Sequence, residues 1–231
     1  LEIDAVHFTP QSRPRIFVIA TRTMPAAALV AQSPATPFHS EAIRAAAQRL
    51  PADIARQWIW WRLPAPPLRN TRLADVLEED AQTSWNSDAR TGELVAMMSP
   101  VQRAKLIAEQ ARGASVVGAL FKRVRIEKGE KRQRAEVRFD GVAGCLRTPT
   151  GGSSRQTLLF VDGAQIRSRL MTAREGARLM GLPDDYPLPP SQSQGLHLVG
   201  DGVAAPVVRW LSAHLLEPLA QGEAIAPRKA G

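Results

Sequence analysis

Two helices in this chain have both of their ends marked in the sequence. Residues 99–102 (SPVQ) place a capping serine before a first-turn proline, and Gly113 supplies the stop. Residues 172–175 (TARE) form a second capping box, and residues 181–183 (GLP) end the helix that it opens. Any fold for this chain must therefore join two short helices through the long interval between them.

That interval alternates in the way that β-strands do. Residues 120–126 and 133–139 flank a polar turn at 127–131 and predict a β-hairpin, and residues 157–161 predict a further strand. Near the beginning of the chain, the apolar run 16–20 (IFVIA) predicts a strand that is buried on both faces. Helices and strands are mixed along the chain, which predicts an α/β fold class.

Two further helices are expected from proline positions and apolar spacing. Pro51 is expected to start a helix that carries the tryptophans of residues 58–61. A last helix is expected to bury Val207 and Leu215 on one face, and the chain beyond Pro218 is expected to fray.

Composition narrows the class of protein. The chain has 231 residues, of which 44% are hydrophobic, and this is enough to bury a core without metals or disulfides. No run of eighteen apolar residues and no charged-then-apolar leader occurs, so we expect neither a membrane span nor a signal peptide. A single cysteine fits a reducing, cytoplasmic location. The net charge of +8 indicates a polyanionic partner, most often nucleic acid.

Three separated segments carry a resemblance to one family. Residues 10–15 (PQSRPR) resemble a QxRxR motif that precedes a strand. Residues 169–175 (RLMTARE), with the helix after them, resemble an RxLTxRE motif, and residues 200–208 (GDGVAAPVV) resemble a final motif. In this order and spacing they resemble the cytosine-5 DNA methyltransferases. That family transfers a methyl group from S-adenosylmethionine to carbon 5 of a cytosine flipped out of duplex DNA.

The resemblance implies a division of the chain into three parts. Residues 1–23 would be a segment of the catalytic domain, and residues 24–166 would be a mixed α+β target-recognition region. Residues 167–231 would be helical and return to the catalytic domain. The expected fold is therefore the end portion of a Rossmann-like S-adenosylmethionine-dependent methyltransferase domain plus a recognition domain.

Three motifs that such enzymes carry toward their N-termini do not occur in the 231 residues. These are a Gly-rich cofactor loop, a Pro-Cys nucleophile and a Glu-Asn-Val acid motif, and Cys145 follows a glycine instead. We therefore expect catalysis to need a missing N-terminal half, present in a longer chain or in a separate subunit. The isolated chain is expected to be inactive.

The resemblance assigns catalytic roles in the first motif. Arg15 matches the arginine that contacts O2 of the flipped cytosine, and Arg13 and Gln11 match supporting residues. An arginine suits this contact because its planar group donates two fixed hydrogen bonds and keeps its charge. On the residues alone, two surface arginines beside a strand are the competing interpretation.

The final motif implies a cofactor contact. Asp201, Gly202 and Val203 match positions that form part of the S-adenosylmethionine pocket, and a small residue at 202 permits close approach. A helix N-cap at Asp201 is the alternative interpretation, and it is compatible with the first. The four histidines are scattered without ligand spacing, so no metal site is expected.

The middle of the chain supplies candidate contacts to double-stranded DNA. Residues 122–138 contain eight basic and three acidic side chains, which suits phosphate contact but also fits a solvated edge hairpin. Residues 145–148 (CLRT) stand where the family has a TLxT segment, and residues 151–156 (GGSSRQ) form either a base-reading loop or a merely flexible one. The candidate DNA-binding residues are Lys122, Arg123, Arg125, Arg132, Arg134, Arg147, Thr148, Gly151, Gly152, Ser153, Ser154, Arg155 and Gln156.

Two other functions remain open at this point. The chain could be a catalytically inert DNA-binding module, or its basic patches could serve an RNA-binding or RNA-modifying subunit. Methyl transfer would separate the first alternative from an enzyme. Competition between duplex DNA and RNA at matched salt would test the second, because the salt concentration sets such affinities.

Overall fold

The computed structural model describes most of the chain as a mixed α/β fold with two antiparallel sheets. None of the helices within the described ranges combines the length and hydrophobicity needed to cross a bilayer. Side chains are described as far as residue 222. The described residues are 1–35, 37–79, 84–127, 129–148 and 155–224.

The strands alternate with helices along the chain. The strands are β1 (Glu2–Asp4), β2 (Pro14–Ile16), β3 (Val116–Glu127), β4 (Glu130–Arg138), β5 (Thr157–Asp162) and β6 (Gln165–Leu170). The α-helices are α1 (Glu41–Gln48), α2 (Ala52–Ala55), α3 (Asp88–Ala96), α4 (Pro100–Arg112), α5 (Ala173–Leu179), α6 (Gln192–Asp201), α7 (Ala205–Leu211) and α8 (Glu217–Ala224). A π-helical turn, Ser212–Leu216, joins the last two helices.

The larger sheet has the strand order β4-β3-β5-β6, and both of its faces are covered near its centre. One face packs on α3 and α4 through Leu106, Leu120 and Leu159. The opposite face contributes Val117 and Leu158 to a larger core shared with β1 and with helices α5 to α8. The sheet is therefore the layer between two hydrophobic cores.

The structure confirms both helices whose ends are marked in the sequence. The hydroxyl of Ser99 accepts a hydrogen bond from the Gln102 amide at 3.4 Å, and Gly113 closes α4 with φ of 69°. The capping box of Thr172 and Glu175 opens α5. The predicted hairpin is also confirmed, as β3 and β4.

The prediction of a buried strand over residues 16–20 is wrong. Strand β2 ends at Ile16, and within the described residues it pairs only with β1. Ile16 is 68% exposed and Val18 is 87% exposed. The run is apolar, but the described part of the chain does not cover this face.

The tryptophan segment is not helical as predicted. Helix α2 ends at Ala55, and the chain then pairs with an earlier segment: Ala31 donates to the Trp60 carbonyl at 2.7 Å, and Arg62 donates to Leu29 at 2.8 Å. Trp61 is buried in the core. Tertiary pairing therefore overrides the weak helical pattern around these tryptophans.

The expected fraying beyond Pro218 is wrong as far as Ala224, where α8 ends, and residues 225–231 lie outside the described residues. Pro218 is the second residue of α8 and directly follows the π-helical turn, so the proline does not end the helix. The buried side chains Leu215 and Leu219 hold this part of the chain against the larger core. The predicted burial of Val207 and Leu215 on one face is confirmed.

A buried ion pair joins the sheet to α5. Both guanidinium nitrogens of Arg169 donate to the carboxylate of Glu175, at 2.5 and 2.9 Å, and neither side chain is more than 3% exposed. The same carboxylate accepts from the amides of Thr172 at 2.9 Å and Glu78 at 3.1 Å. Glu175 therefore joins β6, the start of α5 and the segment at residue 78.

We predict that Glu175→Gln lowers the free energy of unfolding by about 3–5 kcal/mol, because it leaves the buried Arg169 charge without a carboxylate. The matched control is Glu130→Gln, which breaks an exposed ion pair with Arg132. An exposed pair contributes about 0–1 kcal/mol. Urea unfolding measures both changes, and equal losses in the two variants would contradict the structural importance of the buried pair.

Candidate functional site

The first motif forms a tight connection between β1 and β2. Asp4 organises it, because its carboxylate accepts hydrogen bonds from the amides of Val6 at 3.0 Å and Arg13 at 2.6 Å. The strand pairing places Arg15 opposite Ile3. As a result, Gln11 and Arg13 point into the protein while Arg15 stays partly exposed.

Arg13 is buried and binds three carbonyl oxygens from two distant segments. Its Nη1 donates to Leu146 at 2.8 Å, and its Nη2 donates to Gly200 at 2.7 Å and to Gly202 at 2.6 Å. Burial lowers the pKa of the Arg13 guanidinium below its ordinary value. No acidic side chain among the described residues forms an ion pair with it.

Gln11 is fully buried and makes a second connection between the same parts of the chain. Its Nε2 donates to the Leu179 carbonyl at 3.0 Å, and its Oε1 accepts from the Leu146 amide at 3.1 Å. Gln11 and Arg13 therefore hold residue 146 from both sides. These contacts are structural, and the supporting catalytic roles expected for both residues stay predictions.

Arg15 lies at the edge of this site. Its Nη1 donates to the Pro14 carbonyl at 2.8 Å, and its Nη2 lies 3.6 Å from the sulfur of Cys145. Nη1 of Arg13 lies 3.5 Å from the same sulfur. Cys145 is half-buried, and it is the common neighbour of the two guanidinium groups. Arg15 forms no ion pair within the described residues, so its charge is available to a ligand.

The segment at residues 145–148 rests directly on the end of α6. A Cβ atom on Gly200 would lie 2.7 Å from the Thr148 amide nitrogen and 2.9 Å from the Arg147 carbonyl carbon. Both of these are backbone atoms, so only glycine permits this approach. Arg147 is exposed and Thr148 is half-exposed.

Asp201 ends α6 rather than starting a helix, so the alternative of an N-cap at Asp201 is wrong. The Gly202 amide donates to the Leu198 carbonyl at 3.1 Å, and Ala204 is the residue that precedes α7. Asp201 is exposed and Val203 is 48% exposed. Residues 201–203 thus form an open turn beside the carbonyls that Arg13 binds.

The described residues do not enclose a cofactor at this turn. The space between Arg15, Phe17, Val203 and Val207 is closely packed and has no room for a ligand. The exposed turn can supply only one wall of a pocket, with a carboxylate and an apolar side chain. No group of three or more metal-ligating side chains occurs in the part of the chain that the structure describes.

The arginines of the hairpin are paired with its own glutamates. Arg125 donates to Glu136 at 2.7 Å, and Arg134 donates to Glu127 at 2.8 Å. The hydrogen bond from Arg134 lowers the pKa of Glu127 below its ordinary value. Similar contacts join Arg123 to Glu136 at 3.8 Å and Arg132 to Glu130 at 3.1 Å.

This pairing changes the electrostatic character of the predicted phosphate contacts. A phosphate would have to compete with glutamates already bound to four of the five predicted hairpin cations. Lys122, the fifth, takes part in an interaction of its own. The register places Arg123 opposite Arg134 and Arg125 opposite Arg132, so each arginine pairs with a glutamate elsewhere on the hairpin rather than with the residue directly across from it.

The remaining predicted contacts differ in exposure. Arg155 is exposed and lies 3.5 Å from the Ser193 hydroxyl. Gln156 is only 7% exposed, and its amide lies beside Gly144 and the Cys145 carbonyl. A side chain this buried cannot reach a base edge without moving, so we place Gln156 among the supporting residues. Gly151, Gly152, Ser153 and Ser154 lie outside the described residues.

Comparison with known proteins identifies the family. The family model for C-5 cytosine-specific DNA methylase matches residues 4–217. The chain belongs to this family. The match includes the first motif, the hairpin and the turn at 201–203, so the resemblance read from the three motifs is confirmed at the level of the family.

Two bacterial type II methyltransferases are similar to part of this chain. Type II methyltransferase M.NgoBV from Neisseria gonorrhoeae is 40% identical over 62 residues, and Type II methyltransferase M.NlaIV from Neisseria lactamica is 39% identical over 62 residues. Each match covers 27% of this chain but 14% of the relative. The chain therefore aligns with a small part of each relative, and both relatives belong to the restriction-modification type of enzyme.

Sequence reasoning missed the position of Cys145 between two arginines and the close approach at Gly200. The sequence did contain a sign of the close approach at Gly200, because Gly200 and Gly202 both lie in the final motif. Nothing local in the sequence pairs residue 148 with residue 200, since the two are brought together only by the tertiary fold. The structure does not bring the basic hairpin into the Arg13 site.

We predict that Gly200→Ala displaces residues 147–148 and lowers the free energy of unfolding by about 1–3 kcal/mol, as overpacking does. It should also raise the reaction rate of Cys145, the only cysteine, with a thiol reagent. Gly92→Ala is the matched control: its Cβ would meet nothing within 4 Å, and alanine in a helix should stabilise by about 0.5–1 kcal/mol. An unchanged thiol rate in Gly200→Ala would refute the displacement.

Proposed function

We propose that this methylase family member is the C-terminal part of a DNA (cytosine-5)-methyltransferase that acts on a cytosine flipped out of duplex DNA. The observation that carries the proposal is the half-exposed Arg15 guanidinium beside a site that buries Arg13 without a carboxylate. This concentration of positive charge suits an electron-rich carbonyl oxygen at a base edge. The family match supplies the base and the reaction class.

Arg15 is proposed to donate to O2 of the flipped cytosine. A cation at this oxygen stabilises negative charge that builds on the ring when a nucleophile adds to the base. The nucleophile and the acid at N3 are proposed to come from a polypeptide that carries the Pro-Cys and Glu-Asn-Val motifs. Cys145 is not proposed for that role, because its sulfur lies between two guanidinium groups. Cys145 belongs to residues 145–148, which we call the recognition-side segment.

Arg13 and Gln11 are proposed to position rather than to react. Both bind residue 146, and Arg13 also binds the carbonyls of Gly200 and Gly202. They would fix the recognition-side segment relative to Arg15. Flipping a base out of the stack costs a few kcal/mol, and the exposed Arg147 and Arg155 are proposed to bind flanking phosphates.

The cofactor contact is proposed at Asp201, Gly202 and Val203. S-adenosylmethionine supplies an electrophilic methyl group when it is bound. The exposed Asp201 carboxylate would accept hydrogen bonds from the cofactor, and the apolar side chain of Val203 would pack against it. Because this turn forms only one wall, the remainder of the pocket is proposed to come from the missing half.

The exposed face of β2 supports the need for that half. Ile16 and Val18 present a continuous apolar face that the described residues leave open to solvent. Covering such a face would stabilise the complete protein. We propose that the N-terminal half packs here, in a Rossmann-like domain completed by both parts.

The first test is methyl transfer by the chain alone and after mixing with a polypeptide that carries the three missing motifs. We expect no transfer of labelled methyl from S-adenosylmethionine to duplex DNA by the chain alone, because it lacks the nucleophile. Transfer should appear after mixing. Activity of the isolated chain would contradict the proposed division of labour, and persistent inactivity of the mixture would favour an inert DNA-binding module.

The second test uses Arg15→Ala in the active mixture. Losing one donor to a developing charge should lower kcat by about a hundred-fold or more, while DNA affinity changes much less. Arg22→Ala is the control, because Arg22 is an exposed arginine in the same part of the chain. If both variants kept full turnover, the proposed contact between Arg15 and cytosine would be wrong.

A further inference from the structure

A cavity away from the Arg13 site lies between residues 73–77 and the large sheet. It has a volume of about 300 Å³. Leu77, Val117 and Phe160 give it an apolar lining with one aromatic ring. This is the size at which small ligand pockets begin, about 300–1,000 Å³. The cavity can therefore hold one flat ring system.

The rim of the cavity carries an aromatic and cationic cluster. Arg167 lines the cavity, and its guanidinium carbon lies 4.4 Å from the ring centre of Trp85. Trp85 in turn contacts the ring of Phe160 edge-on at 4.9 Å. Among the described residues Arg167 has no acidic partner, and Trp85 is 43% exposed. The stacking fixes an exposed cation next to the cavity.

Two more polar side chains stand at the same rim. Asp162 and Gln165 line the cavity beside Arg167, and one oxygen of Asp162 accepts a hydrogen bond from Ser115 at 2.9 Å. Together the rim offers donors from Arg167, acceptors from Asp162 and both from Gln165. A nucleobase has the same mixture of donors and acceptors at its edge, around a flat apolar ring.

The cavity opens along Ala74 and Val117 into a wider cleft of about 740 Å³. Arg69 and Arg72 line this cleft, and neither forms an ion pair within the described ranges. Asp140, the acidic residue on the opposite wall, is already bound by Arg138. The cleft therefore presents two arginine side chains without ion pairs next to the ring-sized cavity, although the carboxylate of Asp75 accepts a hydrogen bond from the Arg72 amide at 2.7 Å.

We propose that this cavity and cleft bind an unpaired segment of nucleic acid. One base stacks in the cavity against Phe160 and Arg167, and the neighbouring phosphates lie along Arg69 and Arg72. Single-strand binding sites combine these two elements, aromatic or arginine stacking and a basic groove. An acidic peptide would match the charge but would leave the aromatic lining without a ring. This site is separate from the proposed cytosine site.

The test uses a fluorescein-labelled hexathymidylate and the 231-residue chain at one fixed low salt concentration. Arg167→Gln and Trp85→Ala should each weaken binding by about five-fold or more, because stacking of one base is lost or loosened. Arg132→Gln is the control, because Arg132 is an exposed arginine already paired with Glu130 on the distant hairpin. The control should bind within about two-fold of the wild type, as expected for a single exposed charge.

Photo-crosslinking locates the base directly. A hexanucleotide that contains 5-iodouracil should crosslink to Trp85 or Phe160, as mapped by mass spectrometry. Crosslinks confined to residues 145–156, or binding by Arg167→Gln equal to wild type, would overturn the proposal. Equal competition by hexaglutamate would also overturn it, because it would show recognition of charge alone. Thermal unfolding shows whether weaker binding by Trp85→Ala comes from a folding defect or from lost stacking. If Trp85→Ala is unfolded, the binding of Arg167→Gln is the deciding measurement.

The outcome is distinguishable from failure of the proposed methyl transfer. Methyl transfer is measured on duplex DNA with Arg15 variants, whereas this binding is measured on an unpaired strand with Arg167 variants. If the mixture transfers no methyl group but the chain still crosslinks at Trp85, the proposed activity is contradicted and the proposed single-strand site is supported. If the mixture is active but the Arg167→Gln variant binds hexathymidylate as the wild type does, the proposed activity is supported and the single-strand site is contradicted.

Discussion

A guanidinium group inside a protein is costly unless its N–H groups find acceptors. Nη1 and Nη2 of Arg13 find them in backbone carbonyls, while its buried Nε has no partner among the described residues. Two of those carbonyls belong to the turn that ends α6, and the third belongs to residue 146. Segments that are more than 130 residues apart in sequence therefore meet at one side chain. Because carbonyls cannot neutralise the charge, the site remains positive and keeps Arg15 in a cationic setting.

The same principle separates this site from the basic hairpin. The hairpin has more arginines, but its own glutamates already bind them, on the facing strand for Arg123, Arg125 and Arg134 and on the same strand for Arg132. A high local count of basic residues is therefore a poor measure of the charge that a ligand meets. The smaller set formed by Arg13, Arg15, Arg147 and Arg155 makes no ion pair within the described ranges, which makes it the stronger candidate for an anionic partner.

Local rules predicted the elements whose ends are chemically marked. Ser99 and Gly113 bound α4, Thr172 and Glu175 open α5, and the β3–β4 hairpin follows alternation. Rules of this kind failed where distant segments decide the structure. The segment of Trp60 and Trp61 pairs with residues near Leu29 instead of forming a helix. In the apolar run at 16–20, Phe17 and Ile19 pack on the larger core, while Ile16 and Val18 on the other side are exposed.

The candidate site was predicted in part for the same reason. The motifs identified Gln11, Arg13 and Arg15 and the turn at residues 201–203, because residue types at a fixed spacing can be recognised from the sequence alone. They could not show that Gly200 admits the backbone of residue 148, or that Gln156 is buried. Both facts come from packing between parts of the chain that are remote in sequence. A motif therefore identifies the residues that meet at such a site. The contacts at Gly200 and Gly202 determine how the recognition-side segment and the proposed cofactor turn lie relative to each other.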